Sequence, residues 1–93
     1  MSLLLTSDAG TVTVPDDVLV GIAVRAAEGV GGIRVRRRRA VDLERRLVRL
    51  SVAAQRGEPL LELAERVQDA VAAMLKDMCG IEARVDVAVG ELI

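Results

Sequence analysis

The sequence predicts an α+β domain of two layers with the element order β-α-β-β-α-β, in which two helices pack on one face of a four-stranded sheet. Three observations lead to this prediction. Two segments carry apolar residues at helical spacing, four segments alternate apolar and polar residues with the period of a strand, and Gly or Pro separates most of them. Each strand then has one apolar face and each helix one apolar stripe, and a two-layer sandwich buries all of them together.

The composition limits the chain to one domain with an aliphatic core. Its 93 residues suffice for one hydrophobic core, and 52% hydrophobic against 29% charged residues is typical of a globular chain. His, Phe, Tyr and Trp are absent, so the core must be built from Val, Leu, Ile, Ala and Met. No apolar run is long enough to span a bilayer, and the first residues do not form a secretion signal. We therefore expect a cytoplasmic protein.

The first strand and helix lie between residues 11 and 28. Residues 1–10 are expected to form a flexible leader, followed by a single domain over residues 11–93. Residues 11–14 alternate Thr and Val and predict a short strand. Pro15 and two following Asp residues suit the first turn of a helix, where carboxylates meet the positive end of the helix dipole. Its apolar face contains Val18, Leu19, Ile22, Ala23 and Ala26, and the glycines at 29, 31 and 32 end it.

A hairpin is predicted next. Ile33 and Val35 alternate with Arg34 and Arg36, and four consecutive arginines at 36–39 then break the alternation. The turn is expected between residues 40 and 46, without an Asn-Gly or Asp-Gly signal that would set the register. The second strand of the hairpin turns four apolar residues to one side: Val48, Leu50, Val52 and Ala54.

A second, longer helix and a last strand complete the pattern. The helix is predicted to open at residues 58–59 and to run to about Met78, with Gly80 in the left-handed position that ends a helix. Its predicted apolar stripe consists of Leu60, Leu63, Ala64, Val67, Val71, Met74 and Met78. The last strand places Ile81, Ala83, Val85, Val87 and Val89 on one face.

Several short elements of this pattern carry a family resemblance. They are the helix start PDDVL at 15–19, the glycine element AAEGVGG at 26–32, and the long second helix with VQ at 67–68, which closes on MCGI at 78–81. In these elements the segment 12–89 resembles the alkaline shock protein family of bacterial envelope-stress proteins. The resemblance implies a non-enzymatic cytoplasmic domain that self-associates and is held near the membrane by a partner protein. It implies no catalytic residues.

The residue types argue against a reaction centre. Cys79 is the only cysteine and has no His to activate it or to share a zinc ion with it. Glu28 is the best single candidate for acid–base work, and the alternative is a solvated or arginine-paired carboxylate. The glycines at 29–32 follow a helix, whereas a phosphate-binding loop precedes one. We expect no catalytic residue, cofactor, metal site or small-molecule substrate.

The charge distribution marks a candidate partner-binding surface. Between Arg25 and Arg56 there are ten arginines and three acids, whereas outside this window eleven acids face three basic residues. Such a segregated surface can attract an anionic partner, either an RNA backbone or an anionic lipid. The absence of aromatic side chains argues against base stacking, and a pI of about 5.4 is low for a nucleic-acid-binding domain. The alternative is that the arginines face acidic helix surfaces within the fold or across a homo-oligomer. The candidate residues are Arg34, Arg36, Arg37, Arg38 and Arg39.

Overall fold

A computed structural model describes residues 2–93. Two helices and five strands follow one another along the chain, which confirms the α+β class. They are β1 (Ser2–Ser7), β2 (Gly10–Pro15), α1 (Asp16–Glu28), β3 (Ile33–Asp42), β4 (Leu47–Ala54), α2 (Leu60–Cys79) and β5 (Arg84–Leu92).

The strands form two sheets, so the predicted four-stranded sheet is wrong. The main sheet has the order β3-β4-β5, with β3 antiparallel and β5 parallel to the central β4. The parallel connection needs a crossover, and α2 supplies it. The predicted first strand does not join this sheet. As β2 it pairs instead with β1 in a separate antiparallel hairpin.

The hairpin also corrects the expectation of a flexible leader. Residues 2–7 form β1, joined to β2 by the two residues Asp8 and Ala9, while Met1 lies outside the described residues. Two-residue connections are the commonest in hairpins. The register sets Leu3 opposite Val14 and Leu5 opposite Val12, which gives the hairpin one apolar face. The hydrogen-bonding groups along one edge of β2 are therefore paired with β1, and β2 is not part of the main sheet.

Both helices contribute to one hydrophobic cluster with one face of the main sheet. The predicted face of β4 is confirmed, since its four apolar residues are 3% exposed or less. From α1 the cluster takes Leu19, Ala23, Ala26 and Ala27, whereas Val18 is 46% exposed. Ile33 and Val85 add the two outer strands. The core is thus aliphatic throughout, as the composition requires.

The buried stripe of α2 differs in part from the predicted one. It consists of Leu63, Val67, Val71, Leu75 and Cys79. Met74 and Met78, which were predicted to be buried, are 40% and 58% exposed. The stripes also differ at the start of the helix, where Leu60, predicted to be buried, is 42% exposed. They agree at Leu63, Val67 and Val71 and diverge again in the last two turns. Contact with the sheet, and not the periodicity, selects Leu75 and Cys79.

The end of α2 follows the prediction. Gly80 has φ 69°, in the left-handed region. Its N–H donates to the carbonyl of Lys76 at 2.9 Å, and the N–H of Ile81 donates to the carbonyl of Leu75 at 3.4 Å. The Gly80 bond is the 5→1 bond of the αL motif, and the two bonds satisfy two of the last carbonyls of the helix. It turns the chain sharply towards β5.

The two stripes of α2 are distinguished by a matched pair of truncations. Leu75→Ala opens a cavity in the core and is expected to lower the free energy of unfolding by about 2–5 kcal/mol. Met78→Ala removes a mainly exposed side chain and is expected to change it by less than about 0.5 kcal/mol. Urea unfolding followed by circular dichroism measures both. A larger loss for Met78→Ala would contradict the observed packing.

Candidate partner-binding surface

The arginine run forms an irregularity in the edge strand β3. Val35 pairs with Val52 and Arg39 pairs with Leu50, so Arg36, Arg37 and Arg38 all lie opposite Ser51. Two residues more than a regular ladder allows are thus inserted into β3. Such bulges interrupt pairing and re-aim side chains. The break in alternation seen in the sequence is therefore a break in the ladder.

A second irregularity lies across β4 at nearly the same level. Val52 pairs with Val89 and Ala53 pairs with Glu91, which leaves Gly90 of β5 as an extra residue. The guanidinium of Arg36 lies 2.9 Å from the Glu91 carboxylate, and both side chains are about half exposed. This ion pair joins β3 to β5 over the central strand. At this exposure it adds little to stability, up to about 1 kcal/mol.

Two further arginines lie on the face of the main sheet that no helix covers. Arg38 lines a shallow depression together with Arg49, Ser51, Asp86 and Ala88. Arg36, Arg37 and Arg38 also border the adjoining depression at Gly90 and Glu91. We call the surface that these two depressions share the open face; its polar and small residues are Arg36, Arg37, Arg38, Arg49, Ser51, Asp86, Ala88, Gly90 and Glu91. It combines four guanidinium groups and two carboxylates with small side chains that leave the sheet backbone accessible.

Arg34 and Arg39 lie elsewhere, and Arg37 also reaches a second surface. Arg37 and Arg39 line a groove beside α1, with Asp17 and Gly21 in its wall. Arg34 lines a third depression, together with Glu28 and the glycines at 31 and 32. The five predicted site residues are therefore spread over three surfaces. Arg36, Arg37 and Arg38 border one depression together, and Arg38 also lines the next one with a further arginine, Arg49, which the sequence analysis did not select.

Few of these arginines are neutralised within the chain. Of the ten between Arg25 and Arg56, only Arg36 and Arg45 have a carboxylate partner within residues 2–93. The partner of Arg36 lies on β5, and no helix carboxylate lies within ion-pair distance of the run in residues 2–93, although Arg37 and Arg39 share a groove with Asp17 of α1. Arg38 and Arg49 have no ion-pair partner in the same residues, and the Asp86 carboxylate borders the depression that they line.

The carboxylate of Glu28 has a structural contact. Its Oε2 atom accepts a hydrogen bond from the backbone N–H of Val35 at 3.2 Å, just before the bulge. The last residue of α1 thus holds the start of the irregular segment. The sequence alternatives were a solvated or arginine-paired carboxylate, and the observed partner is a backbone donor that no pattern could indicate.

The lone cysteine and possible metal ligands are the remaining candidates for chemistry. Cys79 is buried at the end of α2 with 8% of its surface exposed. The part of the chain that the structure describes holds no group of three or more His, Cys, Asp or Glu residues placed to bind a metal ion. Over residues 2–93, no helix has the length and apolar character needed to cross a membrane.

Comparison with known proteins identifies no relative. No family model, curated protein or solved structure matches this chain. The site is therefore interpreted from its own geometry.

The contact made by Glu28 predicts a local effect on β3. Glu28→Ala removes the acceptor, so the Val35 amide is expected to exchange its hydrogen several-fold faster, since an unpaired N–H at an edge strand meets water. Glu28→Gln keeps a side-chain oxygen and serves as the control. Hydrogen exchange followed by NMR measures both. An unchanged Val35 rate in Glu28→Ala would show that the contact does not hold the strand.

Proposed function

We propose that this chain is a non-enzymatic interaction or scaffold domain, related to the alkaline shock proteins, that self-associates in the bacterial cytoplasm. One observation supports the proposal: both sheets leave strand edges without a neighbour among the described residues, and the main sheet has a face without a helix on it. The hairpin has only two strands, and the main sheet is covered by helices on one face only. An isolated two-stranded hairpin is marginally stable in water, and open strand edges are templates for pairing.

The family resemblance in the sequence supports the same role. The elements at 15–19, 26–32 and 78–81 fall on the start of α1, on the turn from α1 to β3, and on the junction from α2 to β5. These are the points that decide the path of the chain. By the same resemblance we propose an envelope-stress role in which a membrane-anchored protein holds the domain peripherally at the membrane.

Self-association is tested by light scattering over a concentration series. We expect the mean mass to rise above that of the 9.9 kDa monomer as the concentration increases through the micromolar range. Small interfaces give weak, concentration-dependent assembly. A protein that stays strictly monomeric at several hundred micromolar would overturn the proposal.

The open face favours a second candidate function, the binding of phosphate-bearing polyanions. Four guanidinium groups border it, and three of them have no carboxylate partner among the described residues. Guanidinium groups bind phosphate oxygens through paired donors. This function uses Arg36, Arg37 and Arg38 of the predicted set, whereas Arg34 and Arg39 lie on other surfaces and contribute long-range attraction only.

Charge-matched variants test this second function. Changing Arg36, Arg37, Arg38 and Arg39 together to Ser is expected to abolish binding to single-stranded RNA or to anionic vesicles at low salt, because each phosphate contact releases counterions. A control variant with Ser at positions 25, 45, 56 and 66 loses the same charge from exposed sites elsewhere. Fluorescence anisotropy and vesicle sedimentation separate the two ligands. If both variants lost affinity equally, net charge alone would explain the binding. If the wild-type protein bound neither ligand at low salt, the function would be excluded.

A further inference from the structure

The chain has four strand edges without a neighbour, and they differ in how far they resist pairing. β3 carries the arginine run and its bulge, and β5 carries Arg84, Asp86 and Glu91. Charges and bulges are the usual protection of an edge. β2 begins with Gly and ends with Pro, two residues that strands disfavour. β1 has the sequence SLLLTS, with neither charge, Gly, Pro nor bulge.

The hairpin has exposed apolar side chains beside its free strand edge. Its inner end is anchored, since Leu3 and Val14 pack against the core cluster. Two other apolar side chains of the hairpin are exposed, Leu4 at 65% and Val12 at 54%. The molecule is elongated, with extents of 49 × 20 × 18 Å. The hairpin therefore shows apolar side chains and a free ladder edge together, at a point with little cover from the helices.

We propose that β1 is the self-association site, where it pairs antiparallel with β1 of a second copy to form a four-stranded sheet across a two-fold axis. This deepens the proposed function and rests on it. The partner is a second copy because β1 is uncharged, so that two copies bring no like charges together. The other three edges carry charged residues, a bulge, Gly or Pro, which oppose pairing.

The register of this pair follows from the faces of the hairpin. Residues opposite each other in a sheet share a face, so the apolar faces of two hairpins become continuous only when the two-fold axis passes through a residue. An axis at Leu4 sets Leu4 opposite Leu4, and Leu3 opposite Leu5. Every leucine then meets a leucine, whereas an axis at Leu5 would set Leu3 opposite Ser7. Such cross-strand apolar pairs stabilise a sheet.

Charge substitutions at Leu4 test the proposal by light scattering and sedimentation. Leu4→Lys places like charges at the axis and is expected to raise the dissociation constant about ten-fold. Leu61→Lys adds the same charge at a side chain that is 72% exposed on α2, and is expected to have no effect. Mixing Leu4→Lys with Leu4→Glu should restore association to at least the wild-type strength. A misfolded variant would not be rescued in this way.

Disulfide trapping provides the second measurement. In a Cys79→Ala background, Leu4→Cys is expected to form a disulfide-linked dimer on mild oxidation, because facing residues of an antiparallel pair have Cα atoms about 4.5–5.5 Å apart. Leu61→Cys is the control and should show only background. Wild-type protein that remains monomeric would overturn both this inference and the proposed function. Self-association that neither the charge variants nor trapping at position 4 affects would overturn the β1 pairing alone.

Discussion

The burial of one face of β4 is the constraint on which the rest of the structure depends. β4 is the central strand of the main sheet, and Val48, Val52 and Ala54 are at most 1% exposed. Without aromatic side chains, the chain must cover this face with many small groups, each worth about 1.5–3 kcal/mol when fully buried. Both helices are therefore needed on the same side. The opposite face of the sheet is left to solvent or to a partner.

The arginine bulge is compatible with this core because it preserves the alternation of faces. Two extra residues separate Val35 from Val41, an even number, so both valines stay on the side of the helices, where they contact the core. One extra residue would have turned Val41 outwards. Arg37 and Arg39 then reach the helix side, where Gly21 of α1 leaves space beside them. The bulge thus carries charge at the edge without disturbing the core.

Periodicity predicted those elements whose faces are decided locally. The face of β4, most of both helix stripes, the Gly80 terminus and the turn before β4 follow from spacing and turn residues alone. The last strand was predicted from Ile81 but begins at Arg84, and Val18 and Leu60 fit the helical period although they are exposed. The stripe at the end of α2 could not be predicted, because Met78 and Cys79 both fit the helical period and only packing against the sheet separates them. Hairpin formation by residues 2–7 was missed because three consecutive leucines do not alternate. No sequence pattern marks Glu91 as the partner of Arg36, because the two residues are brought together only by the two bulges.

Strand pairing was the least predictable level for a related reason. The alternation in residues 11–14 indicates a strand but not its neighbour, and β1 lies closer along the chain than any strand of the main sheet. Pairing across a two-residue turn loses little chain entropy, whereas joining the main sheet requires closure of a long loop. The sequence pattern is the same in both cases. The separate hairpin is therefore a result of loop length and not of residue type.

The distribution of the arginines bears on which of the two proposed functions has the stronger physical basis. Phosphate recognition needs guanidinium groups that converge and are not neutralised. The five arginines of the run line three surfaces, and the depression that Arg36, Arg37 and Arg38 share also contains Glu91, which pairs with Arg36. Protection of an edge needs only charge and irregularity along β3, and all five satisfy it. A chain that blocks β3 in this way and leaves β1 unblocked directs association to the hairpin. On the proposed pairing through β1, the arginine run would determine where copies do not pair, and this role favours the interaction domain over the anion-binding module.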